Sequence, residues 1–164
     1  IEKIVFAGAG ALSITLSDTV FTNNGSSSII IQSSAAGAFT VAAGGLSAAN
    51  SLDVRPFTTD TPNTDTITGG AGNDVIRYYD MATLDDADTI NGNAGTDSLV
   101  LYAAGNAHSA TYTNISKIES ITYALYTTTE AVTATLADGN FVSIDSAPIS
   151  ASTITSVVLS LIHI

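Results

Sequence analysis

The stretch Asp65-Thr66-Ile67-Thr68-Gly69-Gly70-Ala71-Gly72-Asn73-Asp74-Val75-Ile76 returns 23 residues later as Asp88-Thr89-Ile90-Asn91-Gly92-Asn93-Ala94-Gly95-Thr96-Asp97-Ser98-Leu99. In each copy two aspartates stand nine residues apart, a glycine-rich turn precedes the second, and a short apolar run follows it. Glycine permits φ > 0 in such a tight turn. The residues after Asp74 read as a short strand whose middle side chain, Ile76, enters a core while its neighbours face outward. Short strands punctuated by turns at a repeating offset describe stacked coils, since a sandwich needs longer alternating strands.

The same rhythm extends outward in both directions. Short β-type runs occupy Lys3–Phe6, Leu12–Leu16, Ser28–Gln32, Ala38–Ala42, Leu52–Val54, Thr66–Thr68, Val75–Tyr78, Thr89–Asn91, Ser98–Tyr102, Ile118–Tyr126, Val132–Leu136, Phe141–Ile144 and Ile154–Val158. Gly, Asn, Asp and Ser clusters separate many of them. Helix signals are weak, because the chain is rich in Thr, Ser, Ala, Gly, Ile and Val and has few Lys, Glu or Gln. The expected fold is an all-β solenoid.

Composition narrows the function. The four basic residues, Lys3, Arg55, Arg77 and Lys117, face fifteen acids, for a net charge of −11. That balance repels phosphate backbones and anionic lipid heads and suits a cation, so nucleic acid is not an expected partner. Cysteine is absent, which removes disulfides, thiolate metal sites and cysteine nucleophiles together. No apolar run approaches the roughly eighteen residues of a membrane span, so membrane insertion is not expected. An extracellular chain without disulfides needs another staple, and bound metal supplies one.

Eight of the twelve aspartates lie between Asp60 and Asp97, where their mutual repulsion would be relieved by a bridging divalent cation. Aspartate offers the hard, charged oxygen that calcium prefers, and a glycine turn lets carbonyl oxygens face the ion. The expected ligand set is Asp74 and Asp97 with Gly69, Gly70, Gly72, Asn73, Gly92, Asn93, Gly95 and Thr96. Asp65 and Asp88 join them, although the turns before these two lack glycines. In a regular roll, turns on one edge recur about every eighteen residues. Asp74 and Asp88 are fourteen apart instead of nine, which predicts a five-residue excursion within Tyr78–Asp86. Asp74 and Asp97 then stack on one edge and Asp65 and Asp88 on the other, with up to two calcium sites, one per edge. Folding is expected to depend on calcium.

Gly69–Arg77 fits the nonapeptide G-G-x-G-x-D-x-U-x at every fixed position. The segment Asp65–Leu101 resembles the RTX, or haemolysin-type, calcium-binding repeats, over less than a quarter of the chain. The wider layout resembles β-solenoid regions of bacterial S-layer proteins and large adhesins. There a similar turn and strand lead to an I-x-x-I-E-x-I element, here Ile115-Ser116-Lys117-Ile118-Glu119-Ser120-Ile121. The resemblance implies right-handed parallel coils, type I secretion and extracellular calcium binding. Long RTX arrays carry many perfect nonapeptides, whereas this chain has one.

A longer repeat links Ile1-Glu2-Lys3-Ile4 to Ile118-Glu119-Ser120-Ile121, offset 117, and Thr15-Leu16-Ser17-Asp18 to Thr135-Leu136-Ala137-Asp138, offset 120. The expected organisation is solenoid coils over 1–59, calcium turns over 60–102, and over 103–158 a continuation that begins the next unit. Leu159–Ile164 reads like the translation of a transposon-type sequencing adapter, so it is set aside as a non-native tail together with His163.

Little points to catalysis. His108 reads as a solvated residue of a polar loop, Gly105–Ser109, rather than a general base. No Gly-Lys-Ser/Thr follows the glycine turn, and no G-x-S-x-G or H-E-x-x-H is present. Tyr78, Tyr79, Tyr102, Tyr112, Tyr123 and Tyr126 read as core edges and strand faces before they read as a sugar platform. A flat ice-binding face would require T-x-T ranks on successive coils, which do not stand out. The expected function is a non-enzymatic, extracellular calcium-binding repeat of a surface protein. Its expected partners are calcium, neighbouring repeats of the same chain or lattice, and a cell-surface glycan or protein ligand. The second expectation is an RTX secretion and folding cassette attached to an exported hydrolase whose catalytic domain lies outside this sequence.

Overall fold

The protein is described from a computed structural model. It covers residues 2–8, 10–23, 25–34, 36–56, 64–80, 83–103, 107–112, 114–125, 131–136, 143–145 and 156–159. In chain order the elements are β1 (Lys3–Phe6), β2 (Leu12–Thr15), α1 (Asp18–Thr22), β3 (Ser28–Ser33), β4 (Phe39–Ala42), β5 (Ser51–Arg55), β6 (Thr66–Thr68) and β7 (Val75–Tyr78). They continue as β8 (Thr89–Asn91), β9 (Ser98–Ala103), β10 (Ala107–Tyr112), β11 (Ile115–Ser116), β12 (Ser120–Leu125), β13 (Ala131–Leu136), β14 (Ser143–Asp145) and β15 (Ser156–Leu159).

Consecutive strands alternate between sheets, and each returns parallel beside the strand one coil earlier. One sheet runs β1-β3-β5-β7-β9-β12-β14, a second β2-β4-β6-β8-β11 and a smaller third β10-β13-β15. This is a parallel β-solenoid, in which each coil packs only on its neighbours.

Two aliphatic ladders fill the space between the sheets. Ile4, Ile31, Val54, Ile76, Leu99 and Ile121 share one register row. Ile14, Val41, Ile67, Ile90 and Ile115 share another. All but Ile4 and Ile14 are buried. Period-two alternation within each short strand places these residues inward and their neighbours outward. Each fully buried Ile or Leu contributes roughly 1.5–3 kcal/mol by leaving water.

Several expectations change. Lys3, Ile30, Asp53, Val75, Ser98 and Ser120 stand in one row, so successive coils take 22 to 27 residues. The long connection after Tyr78 is therefore the rule for this solenoid, not an excursion from an eighteen-residue coil. Of the expected loop Gly105–Ser109, residues 105 and 106 lie outside the described residues, and Ala107–Ser109 is strand, because Ala107–Tyr112 forms β10, which pairs with β13 over its whole length. Its Thr and Tyr content suits a strand, and a third parallel sheet, β10-β13-β15, takes it in. Ile118 is not in a strand. The chain changes sheets at Lys117–Glu119, and Ile118 is buried within that corner. The short α1 was not expected; its Phe21 is 4 % exposed and caps the core beside Leu16.

Lys3 and Ser120, paired by the 117-residue echo, share a row, whereas Thr15 and Thr135, paired by the second echo, stand in different sheets. The outer face of the five-stranded sheet stacks Ser13, Thr40, Thr66 and Thr89 in one row and Thr15, Ala42, Thr68, Asn91 and Ser116 in the next. Uncharged hydroxyl ranks are thus assembled by register, although the unequal coil lengths hide them in the sequence. Residues 160–164, with His163, and Asp60, Thr61 and Asn63 lie outside the described residues, as does Asp138.

Candidate metal centre

Each chain crossing between the two sheets defines an edge of the solenoid, and each edge carries one column of carboxylates. On the first edge, Leu52, Asp74, Asp97 and Glu119 occupy equivalent places in four successive coils. Asp74 Oδ1 accepts the Leu52 amide at 2.7 Å, Asp97 Oδ1 the Asp74 amide at 2.7 Å, and Glu119 Oε2 the Asp97 amide at 2.6 Å. On the second edge, Asp65 Oδ1 accepts the Phe39 amide at 2.9 Å and Asp88 Oδ1 the Asp65 amide at 2.8 Å. The spacing argument is met in this respect: Asp74 stacks with Asp97 and Asp65 with Asp88.

Both columns change character at the same coil. The inward residues Ile29 and Leu52 give way to Asp74 on one edge, and Leu12 and Phe39 give way to Asp65 on the other. All four aspartates are no more than 2 % exposed. Burial of an ionised carboxylate costs several kcal/mol unless partners replace water. Amide donors replace part of it. Both arginines are ion-paired elsewhere, Arg55 at 2.6 Å and Arg77 at 3.1 Å from Asp53.

The two glycine turns stack directly but are not copies of one another. Ala94 N donates to the Gly70 carbonyl at 3.2 Å, and Thr96 N to Asn73 Oδ1 at 2.9 Å. In the lower turn the Gly70 amide donates to Asp74 Oδ2 at 2.7 Å. In the upper turn Asn93 replaces that glycine, adopts φ +76°, and its amide turns to Asn91 Oδ1 at 2.9 Å. Asp97 Oδ2 is left buried without a hydrogen-bond partner.

The glycines serve mainly as space, which corrects the expectation that they supply positive φ. Of Gly69, Gly70, Gly72, Gly92 and Gly95, only Gly95 lies in the left-handed region, at +125°. A side chain on Gly72 would strike the Asn50 carbonyl, and one on Gly69 would strike both Asp74 Oδ2 and the Gly92 carbonyl. A side chain on Gly92 would strike Asp97 Oδ2 and the Lys117 carbonyl. Carboxylate and carbonyl oxygens therefore converge over Gly69 and again over Gly92.

Electrostatics follow from burial. Desolvation raises the Asp74 carboxyl above its usual range, opposed by the amides of Gly70 and Leu52. Desolvation also pushes Asp97 up to about 7, opposed by the Asp74 amide and reinforced by the charges of Asp74 and Glu119. On the second edge burial holds the enclosed Tyr78 phenol well above its ordinary value, and the charges of Asp65 and Asp88 add to this.

The donor set fits a hard cation. Among the described residues no three His, Cys, Asp or Glu side chains gather at one point. Any ion here would draw on one or two carboxylates plus main-chain carbonyls, a mixture calcium accepts and thiophilic metals do not.

Residues 61–77 and 82–102 match the RTX calcium-binding nonapeptide repeat, in four copies. These turns are RTX repeats. RTX nonapeptide repeats bind calcium, and the expected cofactor is thereby met. The matched residues include both stacked aspartate pairs and stop short of Lys117 and Glu119. No curated protein and no solved structure matches the chain.

Sequence reasoning missed Glu119 as a member of the first column. The signal was present: Glu119 lies 22 residues beyond Asp97, close to the 23 that separate Asp97 from Asp74. On the second edge the Asp85 amide donates to Asp88 Oδ2 at 3.0 Å. Asn73 and Thr96 are exposed, and Asn73 Oδ1 is used by the Thr96 amide. The histidine and aromatic readings divide similarly. The His108 side chain lies outside the described set, Tyr78 and Tyr123 are core, and Tyr79 stacks on Tyr102 at 4.9 Å on the outer face.

Proposed function

We propose that this chain is an extracellular structural repeat whose RTX turns take calcium on both solenoid edges, with Asp74 and Asp97 on one and Asp65 and Asp88 on the other. The carrying observation is that four carboxylates are buried in two stacked columns while both arginines pair with Asp53. Calcium seated beside them offsets their mutual repulsion and the loss of water. The main-chain carbonyls of Gly69, Gly70 and Gly92, with Asn73, Asn93, Gly95 and Thr96 shaping the turns, complete the proposed set. The ion's chemistry is electrostatic: it ties neighbouring coils together and stiffens the array.

The architecture is compatible with a wider role in an array. A solenoid extends by adding coils, and the echo of Ile1–Ile4 in Ile118–Ile121 supports units of about 117 residues following one another. We read it as a repeat from a secreted surface-layer or adhesin-like protein, exported by type I secretion, with coils over 1–59, RTX turns over 60–102 and a next unit beginning within 103–158. The second reading, a folding cassette for an exported hydrolase, shares the calcium chemistry. A full-length reading frame separates them: further units of 117–120 residues support the array, and a catalytic motif upstream supports the cassette.

Calcium titration followed by circular dichroism and calorimetry tests the central claim. Calcium is expected to raise the melting temperature and β-sheet signal, and chelator to reverse both. No response in either signal would remove the calcium reading.

A further inference from the structure

We propose that the corner Lys117–Glu119, outside the RTX match, completes an additional divalent-cation position with the upper RTX turn, using Asp97 Oδ2, the Lys117 carbonyl and the Glu119 carboxylate. This inference rests on the calcium reading above.

The first support is an oxygen without a role. Asp97 is 0 % exposed, its Oδ1 holds the Asp74 amide, and its Oδ2 has no partner. An unpaired buried carboxylate oxygen is costly, and a cation is the partner that compensates it best.

The second support is repetition of a geometry without repetition of a motif. Over Gly69 converge Asp74 Oδ2 and the Gly92 carbonyl; over Gly92 converge Asp97 Oδ2 and the Lys117 carbonyl. Lys117 stands at φ +56°, a left-handed conformation unusual for a residue of its type. It thus occupies in the next coil the place that Gly92 occupies in this one. Main-chain stacking agrees, since the Gly69 amide donates to the Asn91 carbonyl at 2.8 Å and the Gly92 amide to the Ser116 carbonyl at 3.0 Å.

Glu119 supplies the third support. It holds the Asp97 amide as Asp97 holds that of Asp74, so a carboxylate is present at the aspartate's register place although the nonapeptide has ended. A longer acid at a sharper corner keeps the column going. The upper turn also differs from the lower in the required way. Gly70 directs its amide at Asp74 Oδ2, while Asn93 directs its amide at Asn91 and leaves Asp97 Oδ2 for another partner.

The test compares wild type with Glu119→Gln by isothermal titration with calcium chloride. Glutamine keeps a carbonyl oxygen for the Asp97 amide but loses the charge. The expected result is one fewer calcium per chain, or one site weakened at least tenfold, with the remaining sites unchanged. Identical isotherms in the two proteins overturn the proposal and leave the calcium reading standing. No binding by wild type overturns both. Should the variant fail to fold, the wild-type chain carries its own probe: with only Glu2, Glu119 and Glu130 present, carboxyl-¹³C glutamate labelling gives three signals. The Glu119 carboxyl carbon is expected to shift with calcium, and an unmoved signal through saturation overturns the assignment.

Discussion

Asp97 accepts the main-chain amide of Asp74, one coil below, at 2.7 Å through one carboxylate oxygen, while its other oxygen is buried and unpaired. The same side chain thus has two separable duties. One oxygen ties adjacent coils, as any neutral carbonyl could. The other carries charge that only a cation or a proton can answer.

Substitution distinguishes these duties. In calcium-free protein Asp97→Ala orphans the Asp74 amide and is expected to destabilise by about 1–3 kcal/mol. Asp97→Asn keeps an acceptor and removes a desolvated charge, so its calcium-free stability should equal or exceed wild type. With calcium the order changes, and both variants lose most of the calcium-induced rise in melting temperature. Urea melts with chelator and with saturating calcium check all four cases. An Asn variant that gains as much from calcium as wild type would show that the Asp97 charge holds no ion.

The solenoid and its stacked aspartates were legible because they depend on local patterns. Thr66–Thr68, Val75–Tyr78 and Thr89–Asn91 form strands with the expected limits, because a buried Ile at the centre of each is flanked by outward residues. What stayed hidden depends on register. The Thr and Ser ranks need coil lengths that vary from 23 to 27 residues, which no fixed period shows. Glu119 was hidden by residue type, since Lys117-Ile118-Glu119 shares no glycine or aspartate with the turn it follows. The roles of Gly69, Gly72 and Gly92 were misjudged because close approach between coils is a tertiary fact, whereas positive φ is the usual local reason for a glycine.

Glycine replacements should therefore grade by contact. Gly72→Ala meets the Asn50 carbonyl, and Gly95→Ala meets the Gly72 carbonyl while also forcing alanine to φ +125°. Each is expected to destabilise by about 2 kcal/mol or more, with Gly95 the more severe. Gly45→Ala meets nothing within 4 Å and lies outside the left-handed region, so it should stay within about 0.5 kcal/mol of wild type. Equal losses at all three positions, measured by thermal or urea melts, would contradict the close-approach account.

The aliphatic ladder makes a prediction independent of metal. Ile76 is wholly buried between Val54 below and Leu99 above. Ile76→Ala removes transfer energy and leaves a cavity that its stacked neighbours cannot fill, a loss of about 2–5 kcal/mol. Val5→Ala, on a side chain 48 % exposed, should cost well under 1 kcal/mol. The contrast is to be measured with saturating calcium, so that metal occupancy does not vary with the mutation. A mild Ile76→Ala would mean the inter-sheet core is not what holds the coils.

The pH dependence should change sign with calcium. Asp97 titrates near 7 in the folded chain, against about 3.9 for an unfolded aspartate. Between those values the folded state keeps a proton that the unfolded state has released, so calcium-free stability falls as pH rises from about 4 to about 7 and levels off above. Asp74, also raised by burial, acts in the same direction. Asp18, lowered by the Ser47 amide, acts in the opposite one, but its carboxyl is open to solvent and weakly felt. Calcium requires the carboxylate form, so at fixed subsaturating calcium the ion's contribution grows with pH over the same window. Urea melts at intervals from pH 4 to 8, with and without calcium, give both slopes, and Asp97→Asn isolates the residue's share. A calcium-free slope that is the same in wild type and Asp97→Asn would place the titrating group elsewhere.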